Sequence, residues 1–275
     1  MSAAAPSLPP LAERSIDTRK GVGLGWAIRD NLAMTWRNLT VIRRVPQLLV
    51  FALVQPLIFV LMFRFVFGGA IAAPGGIDYV NYLMPGIFVQ TVVFGAINTA
   101  VGLAEDRTKG LLERLKSLPM ARSAVLGGRV AADSVRNFVT VVLMIVVGYI
   151  VDFRPTGSFL AIFAAILVMV MFGLSMCWIF AVIGLTVPNG EAAQAAAFPL
   201  IAPLVFASNA FVPVETMPSW LQWWAERQPV SVTVNAVRAL MIDYGSTDYV
   251  WASLAWSFGI MAVMAPIAIR KYRKA

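Results

Sequence analysis

Apolar residues run through this chain in long blocks separated by short charged stretches, and the block lengths predict helices that cross a membrane. Residues 47–67, 82–104, 130–151, 158–187, 192–212 and 250–269 are predominantly apolar, and about 20 residues at a rise of ~1.5 Å per residue cover a hydrocarbon core. The predicted fold class is therefore all-α, a polytopic membrane bundle of six transmembrane helices within a single domain, 46–275. Ahead of it, residues 24–45 carry Ile28, Leu32, Trp36 and Leu39 at helical spacing, with Arg29, Arg37, Arg43 and Arg44 among the polar neighbours. That pattern predicts an amphipathic helix lying along the cytoplasmic membrane face. Residues 1–23 begin Ala/Pro-rich and continue into mixed charges, which predicts a disordered cytoplasmic tail rather than a cleaved signal peptide.

Finer features follow from residue type. Pro56 should kink the first span, and Arg64, about a turn from its outer end, either snorkels to the headgroups or faces inward. In the fifth span, Ala-Gln-Ala-Ala-Ala at 193–197 is weakly hydrophobic, so that span should pack through small residues. The 213–249 connection is long, and Ser219 as N-cap followed by Trp220, Trp223 and Trp224 predicts a short external helix at the interface. Its tryptophans serve either as belt anchors or as the lining of a path.

Composition agrees with lipid as the main solvent. Hydrophobic residues make up 59% of the 275 and charged residues 13%, with a mean hydropathy of +0.77, far from the soluble range. A net charge of +8 would suggest nucleic acid in a soluble protein, but the positions of the cations argue against it. Seven precede the first span, six lie in 105–129 and four follow the last span, all on one side of a six-span arrangement. The positive-inside rule then puts both termini and the 105–129 loop in the cytoplasm, as in a multi-pass protein of the bacterial plasma membrane. The absence of histidine excludes hydrolases built on a histidine base. No catalytic residues, resident cofactor or metal site are expected in this chain.

The most polar internal stretch, 105–129, holds too many charges for lipid. Leu111, Leu112 and Leu115 form an apolar stripe between Glu105, Arg107, Glu113 and Arg114, with Gly110 near the start and Pro119 beyond the end. An amphipathic helix able to dock a soluble partner fits this pattern. Here the sequence resembles the permeases of ABC-2 type transporters, specifically the daunorubicin-resistance group. The resemblance rests on Ser-Leu-Pro-Met-Ala-Arg-Ser-Ala-Val-Leu-Gly-Gly-Arg ending at 129, on Asn-Ala-Phe-Val-Pro-Val-Glu-Thr-Met-Pro-Ser-Trp-Leu-Gln at 209–222, on Gln-Pro-Val at 228–230 and Asn-Ala-Val-Arg-Ala-Leu at 235–240, and on Phe-Gly-Gly at 67–69.

The resemblance implies a cytoplasmic coupling helix seated on a separate ABC-type ATPase, with Glu105, Arg107, Gly110, Leu111, Glu113 and Arg114 as the coupling positions. It also implies external helices in which Phe211, Pro213, Glu215, Trp220 and Trp223 form a gate. ATP and Mg would be bound by that partner, since this chain has no Gly-x-x-x-x-Gly-Lys-Ser/Thr loop. A second permease, identical or related, completes the pathway, and the implied cargo is a hydrophobic or amphipathic drug, lipid or glycolipid. The alternative is an ion channel or secondary transporter, for which intramembrane carboxylates, broken helices or repeats are the usual marks. A membrane enzyme lacks a polar cluster here, and a non-transporting scaffold would share the coupling helix.

Overall fold

The computed structural model describes residues 24–44, 47–68, 76–111, 114 and 122–274, and these are predominantly helical with no strand among them. In chain order the helices are α1 (Leu24–Arg44), α2 (Gln47–Leu61), which runs into a π-turn at Met62–Val66, α3 (Tyr79–Gly95), α4 (Ile97–Thr108), α5 (Arg122–Ile150), α6 (Phe159–Gly184), α7 (Gly190–Phe206), α8 (Ser219–Arg227), α9 (Pro229–Met241) and α10 (Asp248–Lys274). A 3₁₀ turn at Val214–Thr216 precedes α8.

Four stretches are long and apolar enough to cross a membrane: Tyr79–Thr108, Val125–Ile150, Phe159–Gly184 and Asp248–Arg273. The first apolar run is helical from Gln47 through the π-turn ending at Val66, and the fifth forms a shorter helix, Gly190–Phe206. The N-terminal tail, 1–23, lies outside the described residues.

α6 is the hub, packed against α3, α4, α5, α7, α9 and α10. Its start is fixed by Ser158, whose hydroxyl accepts from the Ala161 amide at 3.3 Å, and α7 starts on Asn189 in the same way at 2.8 Å. In lipid no hydrophobic force draws helices together, so close packing must hold them. The α4–α6–α7 contact does this with Ala100, Ala104, Ala193 and Ala197, all fully buried, as the weakly hydrophobic fifth run predicts. α1 lies along α5, with Met34 buried against Leu103, Val125 and Leu126. The helix expected over 24–45 is therefore present, while Trp36 on it is 70% exposed.

Aromatic rings bind the end of α2 to the turn after α7. Phe63 stacks on Phe211 with centroids 4.7 Å apart and planes 6° apart, and Phe59 and Phe206 extend the stack at 5.8 and 5.9 Å from Phe211. The short helix expected after Ser219 is α8, but its cap is one residue earlier than the sequence suggests. Pro218 is extended (φ −58°, ψ 145°) and Ser219 is the first helical residue. A proline fixed near φ −60° supplies the entry geometry that a capping hydroxyl would otherwise hold.

Candidate functional site

Two polar centres are built into this apolar bundle, one toward each end. The first begins at a break. α3 stops at Gly95 and α4 starts at Ile97, although the two form a single 30-residue run. Ala96 shares its amide between the carbonyls of Val92 and Val93, both at 3.2 Å. The Gly95 carbonyl is taken instead by Arg136 Nη2 at 2.9 Å and Asn98 Nδ2 at 3.2 Å. A side chain inserted into the helix ladder is a physical cause for such a break.

Arg136 belongs to α5, where Arg129, Asp133 and Arg136 recur at i, i+4 and i+7 and so share one face. Asp133 Oδ1 meets Arg136 Nη1 at 3.0 Å, and its Oδ2 meets Arg129 Nε at 3.4 Å and accepts from Thr99 Oγ1 at 2.7 Å. Its carboxylate is almost fully buried, at 3% side-chain exposure. Burial of this charge is tolerable because both oxygens are paired and hydrogen-bonded. Arg129 then continues the chain to Asp106 on α4 at 3.2 Å. Its guanidinium packs directly on Gly102, where a Cβ would collide with it. One line of charge therefore runs from Asp106 through Arg129 and Asp133 to Arg136 and the break at Gly95. Beside it opens a cleft of about 620 Å³, with Arg37 of α1 and Lys109 at its rim.

The coupling residues expected from sequence lie at the end of this line. Glu105 and Arg107 sit in the last turns of α4, the continuation of the second span to Thr108, ahead of the amphipathic helix expected from about Gly110. Gly110 follows this helix in the left-handed region that favours glycine, φ +66°, and its carbonyl accepts from the Arg114 amide at 3.3 Å, with Leu111 and Arg114 helical beyond it. Glu105 pairs with Lys109 at 3.0 Å, both well exposed. Arg107 donates to the carbonyl of Leu185, at the end of α6, at 3.3 Å. Leu111 packs on the α1–α5 cluster, Arg114 is exposed, and Glu113 lies outside the described residues.

The second centre sits at the other end, around Arg238 of α9. Although 1% exposed, its guanidinium donates to three main-chain carbonyls: Tyr82 at 3.0 Å, Asn209 at 2.8 Å and Ala210 at 3.3 Å. It also lies 3.6 Å from the centre of the Tyr82 ring. Two of these carbonyls, Asn209 and Ala210, come from the turn that follows α7, whose own ladder has ended there, and the third belongs to the first turn of α3. Asn209 Nδ2 bonds Asn235 Oδ1 at 2.6 Å, and Gln228 Nε2 reaches back to the Leu204 carbonyl at 2.9 Å.

The expected gate residues surround this turn. Phe211 is 4% exposed, and its carbonyl accepts from the Tyr79 hydroxyl at 3.1 Å. Pro213 is buried, Glu215 is exposed, and Trp220 and Trp223 are 74% and 63% exposed. The structure thus brings Phe211 and Pro213 into the turn and leaves the two tryptophans on the outer face of α8. Arg64, in the π-turn, lies over Phe65 at 5.4 Å.

The sequence reading does not single out Asp106, Thr99, Arg129, Asp133 and Arg136 as a unit, nor the pairing of Asn209 with Asn235. The i, i+4, i+7 spacing on α5 was a usable signal. Among the described residues no group of three or more carboxylate, cysteine or histidine side chains is placed to hold a metal ion.

Known proteins give an independent view of the chain. The family model of the ABC-2 type transporter matches residues 29–242. The chain is similar to a daunorubicin resistance ABC transporter permease protein of Streptomyces coeruleorubidus, with 35% identity over 247 residues that cover 90% of this chain and 87% of the relative. It is also similar to a probable doxorubicin resistance ABC transporter permease protein of Mycobacterium tuberculosis, 28% identical over 255 residues covering 90% of each. A probable multidrug ABC transporter permease of Escherichia coli is 24% identical over 199 residues, 72% of this chain and 54% of that protein.

Proposed function

Because this chain belongs to the ABC-2 type transporter family, we propose that it is the membrane permease of an exporter that moves a hydrophobic or amphipathic compound outward, powered by a separate ABC-type ATPase. As a family member with several long apolar helices, it is an integral membrane transport permease. The proposal adds six spans with both termini in the cytoplasm, a second permease beside this one, and ATP and Mg bound by the ATPase rather than here. Support for the cargo class comes from relatives named for daunorubicin and doxorubicin resistance. The positive-inside rule supports the orientation.

The observation that carries the coupling role is the unbroken line from Asp106 to the Gly95 carbonyl. A partner that moves the Lys109–Arg114 segment pulls on the last turn of α4. That turn is tied to α6 through Arg107 and to α5 through Asp106 and Arg129. Displacement at the cytoplasmic end therefore reaches the break near the middle of the second span without passing through lipid.

The test is ATP hydrolysis by the reconstituted permease and ATPase, measured with Asp106→Asn and with Arg107→Ala. We expect intact binding of the ATPase and a fall in stimulated hydrolysis of about tenfold for Asp106→Asn, roughly the loss of one charged contact. Unchanged stimulation in both variants would remove the coupling role from this line.

A further inference from the structure

We propose that the cavity beside Arg238 is a binding site for an organic ammonium ion, held by Glu215 and Glu226 against a wall of tyrosine rings. The cavity measures about 450 Å³, within the range of small-molecule sites. Tyr82, Tyr244 and Tyr249 line it, and the first two meet edge to face with centroids 6.2 Å apart. Two carboxylates stand at the same cavity, Glu215 from the 3₁₀ turn and Glu226 from α8.

The sign of the ligand follows from what each charge already does. Arg238 is the lining cation, but its Nε and Nη2 are committed to the carbonyls of Tyr82, Asn209 and Ala210 and its face to the Tyr82 ring. Glu226 has a neighbour, Arg227, at 3.2 Å, in a pair more than half exposed on both sides, which water screens strongly. Glu215 has no ion-pair partner among the described residues. An anion entering the cavity would meet two carboxylates and a guanidinium whose Nε and Nη2 are already engaged.

Hydrogen-bonding capacity points the same way. Asn209 is 5% exposed and lines the cavity. Its Nδ2 is bonded to Asn235, while its Oδ1 is buried without a partner. A buried acceptor left unpaired costs free energy that a donor would recover. Free acceptors at Asn209 Oδ1 and Glu215, together with aromatic faces, suit a ligand that brings N–H donors and positive charge. The remaining volume takes an apolar or aromatic body against the tyrosines.

Binding is measured on the full-length chain in phosphatidylcholine nanodiscs, with empty discs subtracted, by saturation-transfer NMR titration. The probe is phenethylammonium. Its comparators are 2-phenylethanol, which keeps the ring and chain without the charge, 3-phenylpropanoate, which reverses the charge, and glucose. The expected result is saturable binding of the ammonium, at least about tenfold tighter than the alcohol, weakened about tenfold by Glu215→Gln and severalfold by Glu226→Gln. Glu191→Gln, at the start of α7, should leave it unchanged.

Equal affinity for the alcohol, preference for the propanoate or for glucose, or indifference to both glutamate changes would overturn the site. Should Glu215→Gln reduce the yield of folded protein, Glu226→Gln alone decides. No ATPase enters this measurement, so the site and the exporter reading fail separately.

Discussion

The chain buries arginine at both ends of its helical bundle, but satisfies it differently in each place. Near the break between α3 and α4, Arg129 and Arg136 face carboxylates, with Asp133 between them and Asp106 beyond. At the other end, Arg238 faces main-chain carbonyls and a tyrosine ring and has no carboxylate partner among the described residues. Carbonyls at a helix end cannot leave without unwinding the chain, so Arg238 fixes the turn after α7 in one arrangement. A carboxylate on a rotatable side chain can exchange one cation for another. The end that reads as mechanical therefore holds exchangeable partners, and the end around Arg238 is locked.

The contrast is most directly broken at Arg238. Replacement by Ala removes the guanidinium's hydrogen bonds to three carbonyls and leaves a void under Tyr82. A loss of about 3–5 kcal/mol is expected, seen as a large drop in the thermal unfolding midpoint of the solubilised protein. If that variant unfolds no more readily than the parent, the carbonyls are served by water and the lock does not exist.

A smaller effect is expected at the opposite centre. Asp133→Asn leaves Arg129 and Arg136 without their shared charge, but Arg129 keeps Asp106 and Arg136 keeps the Gly95 carbonyl, so about 2–3 kcal/mol should be lost. Pairing it with Arg136→Gln should cost less than the sum of the two single changes. Strict additivity in that double-mutant cycle would mean that the two side chains do not act together.

The smallest change concerns the exposed pair at the end of α4. Glu105→Gln separates it from Lys109 and should shift stability by less than about 0.5 kcal/mol, because both side chains are mostly in water. A larger shift, read by the same unfolding experiment, would show that this pair is part of the buried line rather than its solvated end.

Much of this could be read from the chain, and the exceptions have causes. Four of the six apolar runs appear as long helices with ends close to those expected, since a 20-residue hydrophobic block has few alternatives. The break at Ala96 left no mark because nothing local causes it: no proline lies there, and the carbonyl of Gly95 is drawn off by an arginine 41 positions later. The charge line was hidden by drawing the third span from 130, which cut Arg129 away from Asp133 and Arg136, whereas α5 begins at Arg122. Nothing in the Asn-Ala-Val-Arg-Ala-Leu run marks Arg238 as buried. Its neighbours Val234, Ala236, Val237 and Ala239 are all buried with it, and only the tertiary fold supplies the carbonyls that make this tolerable. Asn209 found its partner 26 residues away on another helix, a distance at which sequence spacing carries no signal.

The interruption at Ala96 also has a mechanical meaning. A continuous helix is a stiff rod that passes on both thrust and torque, whereas a rod with a joint at its midpoint passes thrust and sheds torque. A twist applied to the lower segment would then turn α4 alone, while an axial push would still arrive at α3. Arg136 holds the Gly95 carbonyl at the end of α3 and Asp133 holds Thr99 of α4, so both segments are strapped to the same shaft, α5.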